Sequence, residues 1–192
     1  MNTLFPIFVK LDQIQILLVG GGNVGLEKLS AMLRNSPEAN ITVVADRVLP
    51  EVFSLAESHP NVLIFERKFR LTDLEGKNLV ILATDSYTLH EKIKAETTVR
   101  SILTNVADTP NLCDFYLGSV VQKGDLKVAI STNGKSPTLA KRMREYLEQS
   151  LPEDIQPLLD NLQLFRSQLK GDFQEKVAIL NELTASLLLN KN

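Results

Sequence analysis

The residues with the clearest chemical signature in this sequence are glycines. Four of its nine stand at Gly20, Gly21, Gly22 and Gly25, directly after the apolar run Ile14–Val19. In the spacing Gly20-x-Gly22-x-x-Gly25, the first glycine allows a tight turn. The second lets backbone approach a pyrophosphate, and the third permits close packing of a helix on a strand. A helix opening there offers free N–H groups and the positive end of its dipole to phosphate oxygens. Asp46 stands about twenty residues further on, where a carboxylate accepts hydrogen bonds from the adenosine ribose hydroxyls of NAD. Arg47 beside it would instead meet the extra phosphate of NADP. Thr84-Asp85 ends another apolar run, where a parallel sheet presents ligand contacts; by itself such a pair is more often a helix cap, and it can be both. Asp108 closes the segment Asn105–Asp108. An acid there suits proton removal coupled to hydride departure, with its pKa tuned by burial. It equally suits the start of the turn Asp108-Thr109-Pro110.

These positions need a frame. Five short runs rich in aliphatic and β-branched residues, at 14–19, 41–45, 61–65, 79–83 and 102–106, read as strands buried on both faces. Helical spacing separates them: Leu29, Met32 and Leu33; then Leu49, Val52, Phe53 and Ala56, stopped at His59-Pro60; then Leu89, Ile93 and Thr97. Strands alternating with helices predict a parallel sheet with right-handed crossovers. Past about residue 110 the pattern changes. Ser119–Gln122 and Leu126–Ile130 flank Lys123-Gly124-Asp125 as an antiparallel hairpin. Ser136 as N-cap and Pro137 at the first helical position start a helix with Leu139, Met143 and Leu147 on one face. Two further helical stripes follow, Ile155 to Leu169 and Phe173 to Leu187, separated at Gly171.

Composition narrows the function classes. The 192 residues are 44% hydrophobic and 23% charged, which excludes a disordered chain. No apolar run has the length of a membrane span, and the N-terminus does not read as a secretory signal, so the expected location is cytoplasmic. A single cysteine, Cys113, and two histidines exclude an internal disulfide and argue against a resident His/Cys metal site. His90 is expected at the surface and Cys113 as a partly buried small residue. A net charge of −2 gives no overall basic excess of the kind nucleic acid attracts, so no nucleic-acid partner is expected.

Several blocks together resemble the precorrin-2 dehydrogenase/sirohydrochlorin ferrochelatase family. They are Leu4–Phe8, Gly20–Val24 followed by Lys28, Ala83–Asp85, Asn105–Asp108 and Ser131–Pro137, in the family's order. The resemblance covers roughly residues 4–148, and Ser131–Pro137 is its most specific part. It implies an α/β chain in three parts: an NAD-binding Rossmann domain (1–112), a dimerisation region (113–150) and a C-terminal helical domain (151–192). It implies oxidation of precorrin-2 in siroheme biosynthesis and, in some members, insertion of ferrous iron. Asp108 matches the catalytic aspartate; Asn23, Val24, Asp46 and Arg47 match cofactor contacts. The sequence departs from the family at Gly25, usually alanine, at Glu27, usually arginine, and at Gly118, often proline.

Precorrin-2 carries eight carboxylates, so a protein of this net charge needs a locally basic surface to hold it. Lys123, Lys127, Lys135, Lys141, Arg142 and Arg144 form one basic group, and Arg67, Lys68 and Arg70 a second. Ser131, Thr132, Lys135 and Ser136 offer hydroxyl, ammonium and backbone donors at a helix N-terminus, or else a plain cap and turn. The competing reading is a non-catalytic nucleotide-sensing module, which needs the glycine loop and Asp46 but gives Asp108 and Ser131–Pro137 no role.

Overall fold

The computed structural model describes residues 2–169 and 172–185. The chain forms two compact units. One comprises the chain up to Leu117 together with Ser131–Ser136; the other comprises Gly118–Ile130 and the chain from Pro137 onward.

The first unit is built on a five-stranded sheet. Its elements are β1 (Gln15–Gly21), α1 (Asn23–Asn35), β2 (Asn40–Val48), α2 (Pro50–Glu57), β3 (Val62–Glu66), β4 (Leu79–Leu82), α3 (Tyr87–Val99) and β5 (Leu103–Val106). All neighbours pair in parallel in the order β3-β2-β1-β4-β5. The connection from β3 to β4 carries only a short 3-10 turn at Leu71–Leu74. It crosses back over the sheet, so the strand order reverses between β1 and β4. That reversal opens a crevice at the carboxyl ends of the central strands.

Period-two alternation on central strands sends successive side chains to opposite faces. Ile16 and Leu18 join Leu29, Met32, Leu33, Ile41, Val43 and Val52 in one core layer. Leu17 and Val19 join Val44, Leu74, Val80, Leu82, Ile93 and Val106 in the other. Both faces of β1 are therefore covered, which is why it reads as an unbroken apolar run. Phe53 departs from its expected place, remaining 41% exposed while Val52 is fully buried.

The second unit holds a hairpin, β6 (Ser119–Lys123) and β7 (Leu126–Ile130), in antiparallel register. Gly124 turns it with φ +53°, and the Asp125 N–H donates to Gln156 Oε1 at 2.7 Å. Helices α4 (Pro137–Ser150), α5 (Ile155–Gln168) and α6 (Phe173–Thr184) follow. Asp172 caps α6, accepting from the Glu175 N–H at 2.9 Å. Gly171 and Leu187, to which the sequence reading gave roles, lie outside the described residues. No helix among the described residues is long and apolar enough to cross a membrane.

Candidate active site

The glycine turn is held by close backbone approaches. Gly20 has φ +123°, and a Cβ on it would collide with the Ala83 carbonyl. A Cβ on Gly25 would collide with the Gly20 carbonyl, so α1 starts against the turn itself. The alanine usual in the family at this position would need that carbonyl to shift. Gly22 differs: a Cβ there would meet nothing within 4 Å. Gly22 is the N-cap of α1 and provides no side-chain cap. The first helical bond runs from the Leu26 N–H to the Gly22 carbonyl at 2.8 Å. The N–H groups of Asn23, Val24 and Gly25 thus have no helical acceptor. Open space beside an uncapped helix start fits a phosphate group of a dinucleotide.

The second strand runs past its expected end, so Asp46 and Arg47 lie within β2 and are both exposed. Gly21 pairs with Val48, which brings the Asp46–Arg47 segment alongside the glycine turn.

A cavity of about 230 Å³ opens at the crevice. Val24 from α1, Ala83, Thr84 and Asp85 after β4, Tyr87 and His90 from α3, and Ala107, Asp108 and Thr109 after β5 line it. Three candidates far apart in sequence therefore meet: Val24, the Thr84-Asp85 pair and Asp108. Thr84-Asp85 does not cap α3. Ser86 does, accepting from the Leu89 N–H at 3.4 Å, while Thr84 Oγ1 lies 2.8 Å from His90 Nε2.

His90 is a correction. Expected at the surface, it is 4% exposed. It shares the inward stripe of α3 with Ile93 and Thr97. Its spacing of three residues from Ile93 and seven from Thr97 is the sequence signal for that place. Burial holds the His90 pKa below its ordinary value of 6.5.

Asp108 is exposed, which corrects the burial expected of it. Its φ of +55° is left-handed, a conformation that asparagine and aspartate tolerate better than most residues. The Thr109 N–H bonds the Val106 carbonyl at 3.3 Å, so Asp108 sits inside a turn from Val106 to Thr109 and does not start one at Asp108-Thr109-Pro110. Hydrogen bonds to the segment that follows tie this turn down. Cys113 Sγ accepts from the Val106 N–H at 3.2 Å, and Asn105 Nδ2 donates to the Phe115 carbonyl at 2.8 Å. Asp114 accepts from the Thr104 N–H at 2.9 Å and pairs with Lys94. Burial also raises the Cys113 thiol, which suits a structural rather than a nucleophilic sulfur. Sequence reasoning left out Asn105's tie and Asp114; neither carries a periodic or motif signal.

The loop Ser131–Ser136 closes on itself. Thr132 Oγ1 accepts from the Ser136 N–H and donates to the Ser136 carbonyl, both at 3.1 Å, and Ser131 Oγ accepts from the Asn133 N–H at 3.2 Å. Asn133 and Gly134 have φ of +54° and +73°. Ser131 and Lys135 are exposed. Of the basic candidates, Lys123 pairs with Glu153, Arg144 with Glu148 and Lys141 with Glu145. Arg67 is bound in two hydrogen bonds by Asp73, at 2.6 and 2.8 Å. Lys68, Arg70 and Arg142 are exposed. No group of three His, Cys, Asp or Glu that could hold a metal ion occurs among the described residues.

A parallel sheet whose glycine turn opens a helix at the strand-order reversal defines a dinucleotide-binding protein of the Rossmann type. Residues 7–119 match the NAD(P)-binding family model, more than half the chain, and residues 123–150 match the model of the sirohaem biosynthesis protein central region. The chain belongs to that NAD(P)-binding family, and the second match bears out the resemblance read from the motifs. It is 36% identical over 180 residues to a siroheme synthase of Psychrobacter cryohalolentis, covering 94% of this chain and 33% of that protein. It is 38% identical over 169 residues to a siroheme synthase of Pseudoalteromonas translucida, covering 88% and 35%. The chain spans about a third of the length of these curated relatives. Among solved structures, SirC, a precorrin-2 dehydrogenase, shares the fold with a TM-score of 0.74 at 24% identity, covering 94% of this chain and 89% of that one.

Proposed function

We propose that this chain is an NAD-dependent dehydrogenase that oxidises precorrin-2 to sirohydrochlorin. The observation that carries the reading is the cavity at the strand-order reversal, which gathers Asp108 with Thr84, Asp85 and Val24 beside the glycine turn. The names of the similar proteins supply the substrate class. NAD bound across the turn supplies a hydride acceptor. The chain's residues do the rest. The N–H groups at the start of α1 hold the pyrophosphate, Gly22 leaves room for it, and Asp46 accepts from the adenosine ribose. Asp108, exposed at the cavity wall, takes the proton that leaves the macrocycle as the hydride departs. The balance is one precorrin-2 and one NAD⁺ giving one sirohydrochlorin, one NADH and one proton. The nucleotide-sensing alternative gives the Asp108 wall of the cavity no task.

The same proposal assigns dinucleotide binding to residues 1–112, pairing of two copies to 113–150 and a C-terminal helical domain to 151–192. Ser131, Thr132, Lys135 and Ser136 would meet substrate carboxylates, chiefly through Ser131, Lys135 and backbone N–H groups, since the Thr132 hydroxyl is engaged within the loop. The cytoplasm, which keeps a lone thiol such as Cys113 reduced, is the expected setting.

The test is anaerobic incubation with precorrin-2 and NAD. Sirohydrochlorin and NADH absorbance should rise one for one. NAD binding without turnover would return the nucleotide-sensing reading. A clear preference for NADP would move the ribose-end role from Asp46 to Arg47. Ferrous iron added to the same mixture reads out metal insertion into sirohydrochlorin.

A further inference from the structure

His90 is buried, lines the cavity and has no part in the reaction proposed above. Its Nε2 lies 2.8 Å from Thr84 Oγ1. Its Nδ1 is buried with no hydrogen-bond partner, the one such side-chain atom among the described residues. That asymmetry assigns the hydrogens. With the proton on Nδ1, a buried N–H donor would be orphaned, a rare and costly state. With the proton on Nε2, only an acceptor lone pair goes unused, and Nε2–H donates to Thr84 Oγ1. Burial works in the same direction by disfavouring the doubly protonated ring.

The consequence falls on Thr84. Its oxygen accepts from His90 Nε2–H and, at a long 3.5 Å, from the Ser86 N–H. A hydroxyl has two lone pairs and one hydrogen. With both lone pairs engaged, the hydrogen is the group left over, and Thr84 lines the cavity. The adjacent Ala83 carbonyl packs against Gly20 in the glycine turn, so Thr84 sits where a dinucleotide laid across that turn would pass. The acceptors there are phosphate and ribose oxygens.

We propose that His90 is a positioning residue: it holds the Thr84 side chain so that its hydroxyl donates to a phosphate or ribose oxygen of the bound dinucleotide. This rests on the dinucleotide reading of the cavity.

The test is NAD titration of the intact chain, read as affinity and not as turnover. His90→Leu and Thr84→Val should each weaken NAD binding by roughly 10-fold, the usual scale for one hydrogen bond to a charged or polar ligand oxygen. The double variant should be no weaker than either single one, because both remove the same bond. His90→Gln, whose amide N–H can stand where Nε2–H stood, should bind within about 3-fold of the parent. Ring nitrogen shifts of His90 in the unaltered protein should show Nε2 protonated and Nδ1 bare, a readout that needs no variant to fold. A Nδ1-protonated ring, a folded His90→Leu with parental affinity, or additive losses in the double variant would each overturn the inference. If the unaltered protein fails to bind NAD at all, the dinucleotide reading falls first, and the inference with it.

Discussion

The two units of this chain bury their apolar residues very differently. All but two of the buried hydrophobic residues lie in the sheet unit; the second unit contributes only Val121 and Ala140 among the described residues. On α4, Leu139, Met143 and Tyr146 follow one another at helical spacing and are 53%, 40% and 63% exposed. α5 has no buried residue. The sheet unit buries a finished core on both faces of its central strands, although Phe53, Leu63 and Phe65 stay exposed, and the cavity opens at the carboxyl ends of those strands. Within the second unit, the hairpin and α4 leave much of their apolar face exposed, Leu139, Met143 and Tyr146 included. That is the property a pairing region needs, and it supports the proposal that two copies meet there.

The largest effect should come from the site on the finished unit. Asp108→Asn keeps size and tolerates the left-handed φ, but cannot accept the proton. Turnover of precorrin-2 should fall about 10²–10⁴-fold, the usual contribution of a general base, with NAD affinity and melting temperature unchanged. Asp108→Ala confounds two effects, since alanine at that φ also costs roughly 1–2 kcal/mol of backbone strain. Near-parental activity in the Asn variant would reduce Asp108 to its turn-forming role.

Two glycines of one turn should then separate fold from ligand. Gly22→Asp places a charge in open space against the pyrophosphate, and should lower NAD affinity by about 100-fold or more with little change in melting. Gly20→Ala drives a Cβ into the Ala83 carbonyl at φ +123° and should destabilise the sheet unit by about 3 kcal/mol or more. Unchanged NAD binding in a folded Gly22→Asp protein would break the loop assignment; an unperturbed Gly20→Ala would break the packing account.

For the second unit, sedimentation of the parent should give twice the 21.4 kDa chain mass at micromolar concentration. Met143→Glu, which sets a charge on the exposed α4 face, should weaken self-association by roughly 10–100-fold while NAD affinity holds. A monomeric parent would sink the pairing role.

How legible the molecule was in its sequence follows the same division. The strands of the sheet unit stood out because residues such as Leu17 and Leu18 are buried on opposite faces of one strand, leaving an unbroken apolar run. The glycine turn was legible because Gly20 and Gly25 are demanded by backbone collisions that any side chain would suffer. Strand ends were less so: β2 continues through Asp46 and Arg47 because pairing of Gly21 with Val48 extends the ladder past the last apolar residue. His90 was misplaced because a polar residue on a helix reads as solvated unless its partner is known, and Thr84 lies on another element. Asp108 suits a proton acceptor and a turn residue equally by type, and its exposure and positive φ are set by the local turn, which residue type does not announce.

The smallest expected effect concerns pH, and it again belongs to the sheet unit. His90 has its pKa lowered in the fold by burial, relative to about 6.5 when unfolded. The unfolded chain therefore binds more protons than the folded one between those two values, and stability must fall as pH drops through that window. Its contribution is fully present above 6.5 and declines below it. Asp73 has the same sign, since the hydrogen-bonded Arg67 guanidinium holds its carboxyl below 3.8, but its loss comes only in the more acid range. The two declines are separable. Melting temperature followed from about pH 7.5 to about pH 5.5 should fall modestly in the parent. It should flatten over that range in His90→Gln, which keeps the donor to Thr84 but cannot titrate. An equal decline in both proteins would mean that another group carries the acid sensitivity, and would remove His90 from the account of stability while leaving its bond to Thr84 to be judged by NAD affinity alone.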